Sequence, residues 1–266
     1  MNNYVTILTI FLFFFSCKKE DIAGCTDSTA LNYNASANLD DGSCNYPSLA
    51  DINIYFTQTV DGNPLVSDQM IYANHSGESY SVQTVRYLIS NITLHTNNGA
   101  NTIIDDVHFI DISIDSTLSL SVPAITDQNY TTISFTMGLD SNKNATNLFL
   151  NESFYPSFSW PEFLGGGYHY MQLEGDFNSL LNGYATHTGG TNGVDYSFNK
   201  EFPITINSKN NIYDIYINME IANWYQNPQK LNFTTNGIMG DANSQIILKN
   251  NGIEDVFSVY TLDASN

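Results

Sequence analysis

Alternation is the feature that most constrains this chain. From residue 50 onward, runs such as Ile52-Asn53-Ile54-Tyr55-Phe56, Ile133-Ser134-Phe135-Thr136-Met137 and Tyr213-Asp214-Ile215-Tyr216-Ile217-Asn218-Met219 place an apolar side chain at every second position. Successive side chains of a strand point to opposite faces, so each run has one face to bury and one to wet. The same period occurs over residues 85–94, 110–114, 168–173 and 202–206. Turn formers such as Asp61-Gly62-Asn63-Pro64 and Asn97-Asn98-Gly99 separate the runs. Many strands at short spacing predict an all-β chain, an antiparallel β-sandwich over residues 50–266. One short C-terminal helix is expected, capped by Asp241, running through Gln245, Ile246, Ile247 and Lys249, with Gly252 after its end.

Charge narrows the function classes. Eight Lys plus Arg stand against 27 Asp plus Glu, a net charge of -19, and the only arginine is Arg86. A nucleic-acid surface needs clustered cations, so that class is excluded as an expectation. With 17 Tyr and 16 Phe, apolar material suffices for one substantial core.

The N-terminus bears on the compartment. Residues 5–15 form an apolar run too short to cross a hydrocarbon layer of roughly 30 Å as a helix. It reads as the core of a signal peptide spanning residues 1–16. The run stops at Ser16-Cys17, which resembles the lipobox of bacterial lipoproteins, in which the cysteine is acylated and becomes the new first residue. Lys18-Lys19-Glu20-Asp21, within a tether over residues 17–23, resembles the signal that sends Bacteroidetes lipoproteins to the outer face of the outer membrane. A solvated tether is the alternative.

Residues 24–47 form a small module. Gly24-Cys25-Thr26-Asp27, Ala30-Leu31-Asn32-Tyr33-Asn34 and Asp40-Asp41-Gly42-Ser43-Cys44 resemble a short repeat common in exported Bacteroidetes proteins. With Cys17 acylated, Cys25 and Cys44 are the only thiols left, and an oxidising compartment makes a disulfide the simple expectation. Asp27, Asp40 and Asp41 offer oxygen ligands to a hard cation such as calcium; the alternative is that Asp41-Gly42 supplies a turn.

The sequence has no Gly-Xaa-Ser-Xaa-Gly elbow, phosphate-cradling loop, His-Glu-Xaa-Xaa-His helix or Cys-Xaa-Xaa-Cys pair. The expectation is therefore a protein without turnover of its own. Asp105-Asp106 are adjacent, so on a strand they face opposite sides and cannot act as a glycosidase pair. Glu174 ends an apolar strand, where a buried carboxylate could hold Arg86; a strand-end salt bridge or a solvated group is the alternative. Of the five histidines, His95 and His108 sit in alternating runs and read as ordinary strand residues, whereas His75 and His187 are expected in flexible, Gly-flanked loops and His169 lies nine residues beyond Trp160. Imidazole suits copper or zinc, and a soft cuprous ion accepts as few as two ligands.

Val85-Arg86-Tyr87-Leu88-Ile89-Ser90-Asn91-Ile92, Phe135-Thr136-Met137-Gly138-Leu139-Asp140, Gly167-Tyr168-His169-Tyr170-Met171-Gln172-Leu173-Glu174-Gly175, His187-Thr188-Gly189 and the segment from Asn251-Gly252 to Val259 resemble, in this order, the MbnP-like family of exported proteins. For copper-binding relatives the resemblance implies histidine ligands, sometimes beside a tryptophan oxidised by a partner dihaem peroxidase-like protein. It implies His187 as a ligand, with His169 or His75, beside Trp160. Two departures are present: Trp160-Pro161-Glu162-Phe163 replaces two closely spaced tryptophans, and His169 replaces an apolar residue. Two readings follow. One is a copper-binding lipoprotein anchored in the outer membrane and facing the exterior, serving uptake or sequestration. The other is a metal-free module presenting its loops to a glycan or a protein.

Overall fold

The computed structural model describes residues 19–126, 129–204 and 212–263. The signal peptide and Cys17 lie outside the described residues, as do residues 205–206 of the expected run 202–206. The chain divides into two compact units, Met1–Ser48 and Leu49–Asn266. Among the described residues no helix is long and apolar enough to cross a membrane.

In the first unit Cys25 and Cys44 are joined by a disulfide, and Ala23–Gly24 pairs in parallel with Leu39–Asp40. Closing a loop of 19 residues removes about 3 kcal/mol of unfolded-chain entropy in the loop model. The carboxylates that sequence offers to calcium are engaged in turns. Asp27 accepts from the amide and hydroxyl of Thr29 and from the Tyr46 hydroxyl, Asp40 from the Gly42 amide, and Asp41 from the Ser43 amide.

The second unit holds strands β1 (Leu49–Val60), β2 (Thr84–Thr96), β3 (Asn101–Asp111), β4 (Ser119–Thr126), β5 (Tyr130–Met137), β6 (His169–Phe177), β7 (Ser179–Gly189), β8 (Phe198–Pro203), β9 (Ile212–Glu220) and β10 (Phe257–Asp263), with helix α1 (Ala242–Asn251) before the last. In the larger sheet β3 lines one edge of β2; the other edge is shared, β6 pairing with its first half and β5 with its second. Strand β8 extends the sheet beyond β5, and β7 lies on the edge of β6 away from β2. The smaller sheet runs β10-β9-β1, with β4 on the far edge of β1. The β1–β9 pair is parallel over nine positions, so the sandwich is not wholly antiparallel. The chain reaches β9 only after building the larger sheet, and it therefore enters beside β1 by a crossover rather than a hairpin.

One apolar cluster fills the space between the sheets, with Ile52, Ile54 and Phe56 of β1, Val85, Tyr87 and Ile89 of β2, and Ile215 and Ile217 of β9 all buried. Ile92 and Leu94 of β2 join the same cluster although they stand at even positions. Asn91 reconciles the two halves. Its φ is 57°, and there the three steps from Ser90 to Thr93 oppose the two from Thr136 to Ser134 in β5. This bulge returns the apolar set to the core face. A second cluster, including Leu88, Phe154, Phe158, Tyr168 and Tyr170, covers part of the other face of the larger sheet.

Two expectations are corrected. The run 110–114 leaves the sheet at Asp111, whose carboxylate takes the amide and hydroxyl of Ser113 and turns the chain into a 3₁₀ segment, Asp115–Thr117. Helix α1 is capped by Asp241 as expected, through the Ser244 amide at 2.9 Å. Gly252 follows the last residue of α1 as expected, but in helical conformation at φ −60° rather than the left-handed one that favours glycine, and it leads into a π-helical turn, Gly252–Val256. Close packing explains the glycine, because a Cβ there would lie 2.3 Å from Phe198 and 2.8 Å from Trp224.

Candidate metal centre

Strand register assembles the centre. Strands β6 and β7 pair antiparallel, Gln172 opposite His187 and Glu174 opposite Ala185, so Gln172, Glu174, Ala185 and His187 share one face. Strict alternation would place His169 on the opposite face, with Met171 and Leu173. The register slips between His169 and Met171, however, and His169 pairs with Gly189. Gly189 lies two residues from His187 on a regular stretch of β7, so the irregular step turns His169 onto the face of His187.

The two imidazoles meet there, ring centroids 5.1 Å apart and nearly perpendicular. Both rings are oriented by hydrogen bonds. Nε2 of His187 is 2.7 Å from Oε1 of Glu174. Nδ1 of His169 is 3.2 Å from the carbonyl oxygen of Phe158, which also accepts the His169 backbone amide at 2.8 Å. A carbonyl only accepts, so Nδ1 of His169 carries the proton and Nε2 keeps its lone pair. The bond to His187 holds the Glu174 carboxyl below the usual range, and an ionised carboxylate makes Nε2 of His187 the donor. The lone pair of neutral His187 is then on Nδ1.

His169 is 6% exposed. Burial, reinforced by the neighbouring His187, pushes its pKa down to about 4, so the ring is neutral at ordinary pH. Trp160 stands edge-on to it at 4.8 Å, its indole Nε1 buried with no hydrogen-bond partner among the described residues. Gly189 explains how the indole comes so near the sheet: a Cβ at that position would lie 2.6 Å from Cε3 of Trp160.

Helix α1 covers the free edge of β7. The side chain of Gln245, fully buried, accepts from the Gly189 amide at 3.3 Å and donates to the carbonyls of His187 at 2.9 Å and Ile238 at 3.0 Å. One amide side chain thus continues the ladder where a neighbouring strand is lacking. Beside His187 opens an apolar hollow of about 430 Å³, walled by Pro161, Phe163, Leu164, Ile238 and Met239.

Of the residues singled out in the sequence, His169, His187 and Trp160 come together, and His187 stands not in a loop but within β7, because its backbone pairs with Gln172 of β6. His75 does not join them. It stands in the turn between Tyr72–Ala73 and Ser79–Tyr80, and Tyr80 pairs with Phe177 at the end of β6 opposite His169. Eight residues of strand separate those ends, roughly 26 Å. Arg86 is not held by Glu174; its Nε pairs with Asp111 at 2.8 Å, while Glu174 turns to His187. His95 bonds Asn101 and Ser134, and His108 bonds Asp105 and the Thr117 carbonyl, so both are satisfied strand residues. Among the described residues no three His, Cys, Asp or Glu side chains converge to hold a metal ion. Gln245 and the step at Tyr170 carry no motif in the sequence; the preference of glycine for tight packing at 189 is the one local signal.

A two-sheet β-sandwich with a carboxylate-oriented imidazole pair on one sheet face defines the class of the protein. The MbnP family model matches residues 50–245, and the chain belongs to that family. The solved structure of MbnP from Methylosinus trichosporium is similar in fold, with a TM-score of 0.56 and 12% sequence identity over 81% of this chain and 100% of that one. No curated protein matches the sequence.

Proposed function

We propose that this is an exported, lipid-anchored surface protein that binds copper through His169 and His187 for uptake or sequestration, without turnover of its own. The observation that carries the reading is the imidazole pair, with one lone pair on each ring and both rings fixed from behind. The donor chemistry fits copper. Neutral imidazole ligates it, and a carboxylate behind a ligating histidine sets the tautomer and raises ligand basicity. Glu174 supplies that carboxylate. Its negative charge also offsets the cation beside a largely apolar wall. His169, buried to a pKa of about 4, is ready to ligate without first losing a proton near pH 6. The net charge of -19 raises the local concentration of cations at the surface. The lipid anchor at Cys17 and the exterior-facing outer-membrane location belong to the same reading, on the strength of the N-terminal sequence, as does a dihaem peroxidase-like partner for Trp160.

Elemental analysis of the ectodomain purified from copper-fed cells tests the reading. Wild type is expected to retain copper and His187→Ala to lose it, with unchanged β-sheet circular dichroism. Equal copper in both proteins would overturn the proposed site and favour a metal-free binding module.

A further inference from the structure

A polar cleft of about 550 Å³ opens on the larger sheet where β2, β5 and β8 run side by side, and His95, Ser134, Asn199 and Glu201 line it. It is distant from the imidazole pair. Tyr87 of β2 pairs with Met171 of β6, and eight residues of strand, roughly 26 Å, carry β2 from there to His95. Register brings three side chains into line. Asn101 of β3 pairs with His95 across the tight turn between the two strands, and Ser134 of β5 lies one diagonal step from His95, because it pairs with Thr93. The imidazole engages both. Its Nδ1 is 2.8 Å from Oδ1 of Asn101, and its Nε2 is 2.6 Å from Oγ of Ser134. An amide oxygen only accepts, so Nδ1 carries the proton and Nε2 presents its lone pair to the Ser134 hydroxyl. The bonds that satisfy His95 therefore also poise it as a base.

We propose that Ser134, His95 and Asn101 act as nucleophile, general base and orienting group in the cleavage of short-chain esters of hydroxyl-rich alcohols, an activity separate from metal binding. A nucleophile bonded to a base that a third group orients is the arrangement of nucleophilic hydrolases, defined by roles and not by order in the chain. Oγ of Ser134 attacks the acyl carbon while its proton passes to Nε2 of His95. The tetrahedral oxyanion collapses, the alcohol leaves with that proton, and the acyl group stays on Ser134. Water then gives a proton to Nε2 and attacks the acyl-serine; the acid departs and the proton returns to Oγ. The oxygen of Asn199 takes the Thr136 hydroxyl at 2.7 Å, which assigns its amide protons to the oxyanion. The lining sets the substrate class. Amides and hydroxyls suit an alcohol rich in hydroxyl groups, Glu201, opposite Ser134, disfavours an anionic one, and a hydrogen-bonding floor disfavours a long apolar acyl chain. Asn101 orients the imidazole without a charge to stabilise the imidazolium, so turnover is expected to be slow.

The test is labelling of the purified protein with a fluorophosphonate, which phosphonylates a serine activated in this way, located by peptide mass spectrometry, together with release of p-nitrophenol from p-nitrophenyl acetate. Wild type should be labelled at Ser134. His95→Gln removes the base but keeps a polar side chain, and should label about a hundredfold more slowly or worse, with unchanged β-sheet circular dichroism. Ser134→Ala should lose ester cleavage. Asn101→Asp, which places a charge behind the imidazole, should quicken both reactions severalfold, a gain that a merely structural bond would not give. A wild-type Ser134 that stays unlabelled, equal labelling in His95→Gln, or equal cleavage in Ser134→Ala would overturn the triad, and no gain in Asn101→Asp would remove Asn101 from it.

Discussion

Removing the imidazole at 169 should flatten the acid limb of the stability curve. In the folded chain His169 titrates at about 4 because it is buried against Phe158, Trp160 and His187, whereas an unfolded histidine titrates near 6.5. Between these values the unfolded chain binds the proton and the folded chain does not, so stability falls as the pH drops below about 6.5 and the loss is complete near the folded value. The separation corresponds to about 3 kcal/mol in all, of which roughly 2–3 kcal/mol is lost by pH 4.5. Of the groups that face the ring, His187 lowers its pKa and Glu174 raises it, the former more strongly. The assay is urea unfolding of metal-free wild type and His169→Leu at intervals from pH 7.5 to 4.5. Wild type should lose roughly 2–3 kcal/mol more than the variant over that range. Profiles that run parallel within ~0.5 kcal/mol, the scatter of neutral substitutions, would refute the claim that His169 is held neutral by burial.

Two substitutions probe the packing behind the pair. Gly189→Ala pushes a methyl group into the Trp160 ring, where the Cβ would stand 2.6 Å from Cε3; overpacking of this kind costs about 1–3 kcal/mol, and urea unfolding with a changed near-ultraviolet dichroism of the indole should report it. Gln245→Leu strips partners from the Gly189 amide and the His187 carbonyl on the free edge of β7. Each buried group left unpaired costs about 1–3 kcal/mol, and hydrogen exchange at the Gly189 amide should quicken while the amides of β9 stay protected.

The fold class was legible because period-two alternation directly reports which face of a strand is buried. Residues 52–56, 133–137 and 213–219 all lie in strands with the expected faces. What alternation hides is a change of phase. Asn91 shifts β2 by one residue and so brings Ile89 and Ile92 to one core, and a comparable step at Tyr170 brings His169 to His187. Neither step leaves more than a weak local trace, since a bulge is chosen by what packs around it. The parallel neighbour of β1 was hidden for another reason: strand order depends on contacts about 160 residues apart in sequence, such as Asn53 with Asp214. The site was half legible. His187 and Trp160 were legible through the family resemblance and His169 by its place near Trp160, whereas Glu174, which could have held Arg86, meets His187 instead, because sequence order says nothing about which side chain a carboxylate will meet across a sheet.

The most direct test of the imidazole pair as a copper site is long-range nitrogen–proton NMR of the histidine rings during titration with one equivalent of Cu(I) under anaerobic conditions. Nε2 of His169 and Nδ1 of His187 should shift together and saturate at one equivalent, while Nδ1 of His169 and Nε2 of His187 remain protonated against Phe158 and Glu174. If the rings of His169 and His187 stay unmoved while the metal binds elsewhere or remains free, the pair is not a copper site.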